Sequence, residues 1–164
     1  VACWGAIFLQ DDAMSIVIRT ATSTDIQTIV QFNQQLAEES EGKKLDPEII
    51  LRGVHRALSS PQLCRYYVAE DQGKVIGQTM VTFEITDWRD GIAYWIQSVY
   101  VAKGHRQRGV FQRLYDHIQD EARKDGHVRL IRLYVEVENH AAIAVYERMG
   151  MVKARYHFFE ATVS

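Results

Sequence analysis

Between Gln97 and Leu114 the chain reads QSVYVAKGHRQRGVFQRL, with Lys103, His105, Arg106, Arg108 and Arg113 inside eleven residues around Gly109. Such a stretch is suited to holding an anion. A strand-like run comes first, and Val110, Phe111, Leu114, Ile118 and Ala122 follow at helical spacing. The first N–H groups of a helix have no internal partner, and the helix dipole is positive there, so the terminus is prepared for phosphate. Gly109 removes the side chain that would keep a pyrophosphate away from the backbone. The same residues also suit a basic surface loop over a helix end. Neither GxxxxGK[ST] nor GxGxxG occurs, so nucleotide hydrolysis and hydride transfer lose support.

The rest of the chain narrows the chemistry. Nineteen Lys and Arg stand against twenty-one Asp and Glu, a net charge of −2, so a nucleic-acid module built on the Arg106–Arg113 patch is disfavoured and no nucleic-acid partner is expected. Cys3 and Cys64 form no CxxC or Cys/His cluster, and no HExxH occurs, so no metal is expected. Two cysteines in such a chain fit a reduced, cytoplasmic protein. No apolar run approaches the ~18 residues of a membrane span, so no membrane partner is expected either.

These residues need elements to position them. Ile16–Arg19 is strand-like, and Thr24-x-x-Gln27 has the spacing of a capping box. Ile26, Ile29, Val30, Asn33, Leu36 and Ala37 then recur as a helix face with one polar intrusion. Pro47 suits the first turn of a second helix running to about Leu58. Cys64–Glu70, Lys74–Thr86 and Ile92–Val101 read as three antiparallel strands, the last pair joined through Asp90-Gly91. After the Val110 helix come a strand over Leu130–Val137, a helix capped by Asn139 and stopped by Gly150, and a last strand over Val152–Phe159. The order βααβββαβαβ predicts a mixed α/β fold with a partly parallel central sheet flanked by helices. Residues 14–164 are expected to form one domain. Residues 1–13 are expected to be an upstream extension, with translation beginning at Met14; an ordinary N-terminal arm is the alternative.

The run Arg106-Gln107-Arg108-Gly109-Val110-Phe111 between strand and helix resembles motif A of the GCN5-related N-acetyltransferase (GNAT) family. Leu133-x-Val135, followed by Asn139, Ala142, Tyr146 and Gly150, is similar to motif B of that family. The resemblance covers about a third of the chain, and each motif is degenerate alone. It implies the GNAT fold and acetyl-CoA as co-substrate. It also implies that Arg106, Gln107, Arg108, Gly109, Val110, Phe111 and Gln112 cradle the pyrophosphate. Val99, Tyr100 and Val101 would pair with the pantetheine arm through their backbone, and Asn139 would meet a pantetheine amide. Phe111 departs from the family, which usually has Gly or Ala there. It either turns into the core or forces the loop to open.

The resemblance further implies transfer of the acetyl group to a primary amine of a small molecule or peptide. Asn139 and Tyr146 are seven residues apart, two helical turns, and share a face. The leaving thiolate has an ordinary thiol pKa of ~8.5 against ~10 for a phenol, so Tyr146 can keep and donate a proton. Tyr146 equally fits as a core aromatic. An alkyl amine costs about 4.6 kcal/mol to hold neutral at pH 7, so a base is expected. The strand Ile92–Ser98 carries no carboxylate, which leaves Glu84 first, Asp87 second and Glu136 third. Glu84 has a second reading as a solvated strand residue. Gln97-Ser98 replaces the acidic pair of the family's polyamine-acetylating branch, which weakens a polycationic acceptor. Trp88, Trp95, Tyr94 and Phe83 are candidates for an aromatic acceptor pocket. A short C-terminal region leaves room for sheet completion in a homodimer. The alternative to an enzyme is a non-catalytic acyl-CoA sensor of the same fold.

Overall fold

A computed structural model describes residues 16–163 of the protein. The expectations about residues 1–13 and Met14 fall outside them. The chain divides into two compact units, up to Tyr134 and from Val135 onward.

The first unit is a five-stranded sheet flanked by three helices. Strand β1 (Ile16–Thr20) leads through a short turn into α1 (Ile26–Glu41) and α2 (Pro47–Leu58). Strands β2 (Cys64–Asp71), β3 (Lys74–Thr86) and β4 (Gly91–Val101) follow, then α3 (Val110–Asp125) and β5 (Val128–Leu133). The sheet order is β1-β2-β3-β4-β5. All neighbours are antiparallel except β4 and β5, which are parallel and joined through α3.

Local chemistry explains the boundaries. Asp46 caps α2 by accepting from the Glu48 and Ile49 N–H groups, and Pro47 occupies the first turn. Left-handed Gln72 and Gly73 make the two-residue turn between β2 and β3.

The two sheet faces are read from their partners. On one, Tyr66 and Val68 of β2 pack with Ile26, Ile29 and Val30 of α1 and Val54 of α2. On the other, Tyr67 meets His117 of α3 edge-on, and Arg65 pairs with Glu121. Leu114 and Ile118 of α3 are fully buried, each contributing about 1.5–3 kcal/mol of burial. Gly77 of β3 lets α3 approach closely: a Cβ there would sit 3.1 Å from Val110 Cγ1 and 3.2 Å from the Tyr100 carbonyl.

The second unit holds α4 (His140–Arg148), capped by Asn139, whose side chain accepts from the Ala142 N–H. The strand expected over Leu130–Val137 starts earlier and ends at Leu133. The last strand expected over Val152–Phe159 does not form: residues 151–163 carry no helix or strand. Val152, Tyr156 and Phe159 are at least 88% exposed. A β-pattern becomes a strand only when a neighbour takes its backbone hydrogen bonds, and the described residues of the second unit include no strand to do so.

Candidate functional site

Strand β4 changes character halfway along. From Ile92 to Ile96 it is paired on both edges, with β3 and with β5. Pairing with β5 stops at Ile96 and Leu133, while pairing with β3 continues to Val101 and Gly77. Among the described residues, no other strand takes the β5-side edge of Val99, Tyr100 and Val101. The register slips between Gln78 and Met80, and Ser98 takes the left-handed φ of 51°. This bulge turns backbone carbonyls inward: Thr79 Oγ1 donates to the Gln97 carbonyl at 3.1 Å, and Gln78 Nε2 to that of Ser98 at 3.4 Å. Bulges of this kind re-aim side chains and end pairing next to active sites.

The loop beyond β4 curls through a short turn at Lys103–His105, then through left-handed Gln107 (φ 62°) and Gly109 (φ 73°) into α3. Turns of this type gather backbone N–H groups into an anion-binding concavity. Gly109 is the N-cap of α3, and no side chain caps that terminus. A Cβ at Gly109 would meet nothing within 4 Å, so open space lies in front of it. An uncapped, open helix start can receive an anion. Val110 is buried. The Phe111 ring lies 6.3 Å from that of Tyr115, the next residue along its helical row, which settles it half-buried beside the core.

The loop's basic side chains behave differently from the sequence expectation, which treated them as a pool of positive charge. Arg106 pairs with Glu39 of α1 at 2.7 Å, and Lys103 with the same residue at 3.5 Å. Arg108 pairs with Asp71 at 3.5 Å and contacts His105 Nδ1 at 3.0 Å. Much of the loop's charge is thus balanced within the protein, and the His105 and Arg106 N–H groups turn back to the Ala102 and Lys103 carbonyls, which leaves the uncapped start of α3 as the loop's clearest anion-facing feature.

On the α1/α2 face, beside the bulge, lies a row of polar and aromatic side chains. Gln97 Nε2 donates to Thr82 Oγ1 at 2.8 Å, and Tyr134 Oη contacts Gln97 Oε1 at 3.4 Å. Arg132 lies 5.3 Å over the Trp95 ring and pairs with Glu84 at 3.0 Å, while Trp95 Nε1 donates to the other Glu84 oxygen. Glu84 is thus a carboxylate with both oxygens engaged, opposite Ala93 in the register. It stands four residues along β4 from Gln97, a strand distance of ~13 Å.

The four aromatics considered for one acceptor pocket separate. Phe83 and Tyr94 stack at 5.1 Å on the α3 face with Arg65 over Phe83, whereas Trp95 is on the opposite face. Trp88 stands in the turn after β3 with 87% of its surface exposed. Successive strand residues point to opposite faces, so Tyr94 and Trp95 cannot line the same one. Asp87 holds that turn, accepting from the Trp88 N–H at 2.9 Å. Glu136 lies in the turn before α4, accepting from the Glu138 N–H, and not on a strand as expected.

In the second unit Asn139 spends its carbonyl oxygen on the cap of α4, which leaves its NH2 group to donate. Tyr146 is half-buried, and burial pushes its phenol above the ordinary value. Cys64 is buried against the Ala57 carbonyl, and burial pushes its thiol up as well, away from nucleophilic use. Among the described residues there is no His/Cys/Asp/Glu group able to hold a metal, and no helix long and apolar enough to cross a membrane.

A sequence reading missed Asn33, Gln78 and Glu39. Asn33 was noticed only as a polar intrusion on an apolar helix face. Its Oδ1 accepts from buried Gln78 at 3.1 Å, and its Nδ2 donates to Tyr66 Oη at 3.2 Å.

Known proteins agree with this architecture. The family model described as the acetyltransferase (GNAT) family matches residues 27–151, across both units. A structure from Clostridium difficile 630, described as a possible acetyltransferase, is 42% identical. It superposes with a TM-score of 0.85 over 91% of this chain and 98% of its own. A structure from Clostridium acetobutylicum, described as a predicted acetyltransferase with acetyl-CoA, shares the fold at 19% identity and a TM-score of 0.72. The superposition covers 90% of this chain and 96% of that one. The N-alpha-acetyltransferase MAK3 of Arabidopsis thaliana is 30% identical over 101 residues, 60% of this chain and 50% of that protein, so the match spans half the length of that relative. The matched span, strand order and helix placement agree: the chain belongs to the acetyltransferase (GNAT) family.

Proposed function

We propose that the protein transfers the acetyl group of acetyl-CoA to a primary amine of a small molecule or peptide, by direct attack within one domain formed by residues 14–164. The observation that carries this reading is the junction of β4 and α3. There a strand edge without a β5 partner leads into an uncapped helix start behind left-handed Gly109. In this reading the N–H groups of Gly109, Val110, Phe111 and Gln112, with those of Gln107 and Arg108, hold the pyrophosphate, and Arg106, whose own N–H turns back to the Lys103 carbonyl, shapes the loop around it. Val99, Tyr100 and Val101 pair with the pantetheine arm as an added strand. Asn139 gives its NH2 to a pantetheine carbonyl. The co-substrate supplies an activated thioester: the amine nitrogen bonds to the carbonyl carbon as the carbon–sulfur bond breaks. Tyr146 holds the proton that the departing sulfur receives, and a phenol raised by burial is protonated across the whole neutral range.

Glu84 takes the proton of the incoming ammonium. Its strand distance from Gln97 and its pairing with Arg132 require that transfer to pass through water. Neutral Gln97 and Ser98 at the bulge, and the balanced Arg132–Glu84 pair, favour an acceptor of low charge over a polycation. The buried thiol of Cys64 fits a reducing cytoplasm. The aromatic segment from Val152 to Phe159 is offered for strand addition in a homodimer.

Thiol release from acetyl-CoA over a panel of polyamines, amino acids, aminoglycosides and peptide N-termini tests the reading. Turnover with at least one amine is expected. Tight coenzyme A binding without turnover would replace the enzyme by an acyl-CoA sensor. For Glu84, the pH–rate profile of Glu84→Gln is decisive: a lower rate with a changed profile is expected, and an unchanged profile removes it from the mechanism.

A further inference from the structure

Helix α1 reaches the phosphate loop through one side chain. Glu39 accepts from Tyr100 Oη at 3.0 Å and from Arg106 at 2.7 Å, with Lys103 at 3.5 Å. Arg106 is held on two further sides. Its Nε donates to the Val101 carbonyl at 2.9 Å, and its guanidinium lies 5.3 Å over the Tyr100 ring. The Tyr100 ring in turn packs 5.0 Å from Phe32 of α1. Burial pushes the Glu39 carboxyl up, but the hydrogen bonds from Arg106 and Tyr100 and the charges of Arg106 and Lys103 outweigh it, leaving the group below the ordinary carboxylate range.

We propose that Glu39 is a positioning residue for coenzyme A: it ties Arg106 back onto Tyr100 and so fixes the loop whose backbone receives the pyrophosphate. Arg106 then acts through the loop's shape, as the fork that closes Val101 onto α1, and not as a free phosphate-binding cation. The geometry favours this over direct phosphate contact because Arg106 spends its Nε inside the loop, one Nη on α1 and its face on an aromatic ring. A single exposed ion pair would do little. Here one carboxylate gathers three donors from the strand end and the loop, and their number rather than burial sets it apart. The loop also contains left-handed Gln107, a conformation that a free chain seldom holds. Without the tie, the receptive form becomes one of several, and apparent affinity falls in proportion to its population.

The inference rests on the coenzyme A reading above, and two measurements on the full chain separate them. The first needs no ligand: amide hydrogen exchange across 103–109 is expected to quicken in Glu39→Gln with the melting temperature unchanged. The second is calorimetric binding of coenzyme A. Glu39→Gln and Arg106→Gln are each expected to weaken it by about tenfold. The double variant should be no worse than either single change, because both break the same tie. The KM for acetyl-CoA should rise in step, with kcat at saturation within about twofold. Arg106→Lys keeps the charge but loses the fork, so it should bind as poorly as Arg106→Gln. Three results overturn the proposal: tighter binding in Glu39→Gln, which would make Glu39 a competitor for a phosphate-seeking Arg106; unchanged binding and exchange; or a wild-type-like Arg106→Lys. If the wild type binds no coenzyme A, the function reading fails, while faster loop exchange would still show the tie.

Discussion

The two halves of β4 do different work with the same backbone. From Ile92 to Ile96 the strand is an interior member of the sheet, and its alternating side chains decide what each face offers: Tyr94 to α3, Trp95 to the opposite side. From Gln97 to Val101 it has lost one neighbour, and the backbone edge becomes the feature of interest. In the proposed reading the cofactor half is thus built from main chain and shape, the acceptor half from side chains. The contrast teaches where substitutions matter. On the cofactor half, removing a charge should matter less than altering a φ angle; on the acceptor half, the reverse.

The largest effect that could break this comparison is at Gly109. Gly109→Val places a β-branched residue at a φ of 73°, a conformation such residues essentially never adopt. Coenzyme A affinity is expected to fall by about a hundredfold or more, measured calorimetrically, since the helix start must reshape and the phosphate site depends on it. Arg108→Gln, two residues away, should fall by less than about fivefold, because Arg108 already faces Asp71 and an exposed pair adds little. Equal losses at the two positions would mean that charge, not shape, carries the site.

Next in size is Tyr146→Phe. Loss of a positioned acid is expected to lower kcat by roughly 10²-fold, with coenzyme A affinity unchanged. The pH dependence has a definite sign. Burial raises the phenol above its ordinary value, so the protonated, working form persists as pH rises. The wild-type kcat should therefore show no fall from Tyr146 ionisation below pH ~10. A descending limb near pH 8 that Tyr146→Phe abolishes would overturn both the role and the direction of the shift.

The acceptor half predicts the opposite separation. Arg132→Gln removes the cation over Trp95 and the partner of Glu84. The acceptor KM should rise about three- to tenfold, the range set by a partly exposed cation–π contact and ion pair. Coenzyme A binding should stay within about twofold. A change confined to coenzyme A would erase the distinction between the halves.

Residues near in sequence made the fold legible, and residues distant in sequence hid the rest. Strand, loop and helix around Gly109 follow from local spacing, as do the Pro47 helix start and the Asn139 cap. The Glu39–Arg106 tie spans 67 residues and joins two ordinary charged positions, so no local pattern announces it. Asn33 was visible as a break in an apolar face; that it meets Gln78, 45 residues on, depends on sheet register. Period-two alternation already separates Tyr94 from Trp95, adjacent on their strand, so one pocket cannot take both. The terminal strand failed for a different reason: an alternating pattern states a preference, and only a neighbouring strand can satisfy it.

The smallest effect is also the finest test of a site made from main chain. Gln107 is exposed and holds a φ of 62° without being glycine. Holding an L-residue there costs ~1–2 kcal/mol, and glycine's extra freedom in the unfolded chain gives back ~0.5–1 kcal/mol of that advantage. Gln107→Gly should therefore stabilise the fold by about 0.5–1 kcal/mol, read as a rise in denaturant midpoint at constant m. If the loop offers only its backbone, coenzyme A binding should stay within about twofold. A clear loss of affinity with the same gain in stability would show that the Gln107 side chain touches the ligand, and would move part of the cofactor half from shape to side-chain recognition.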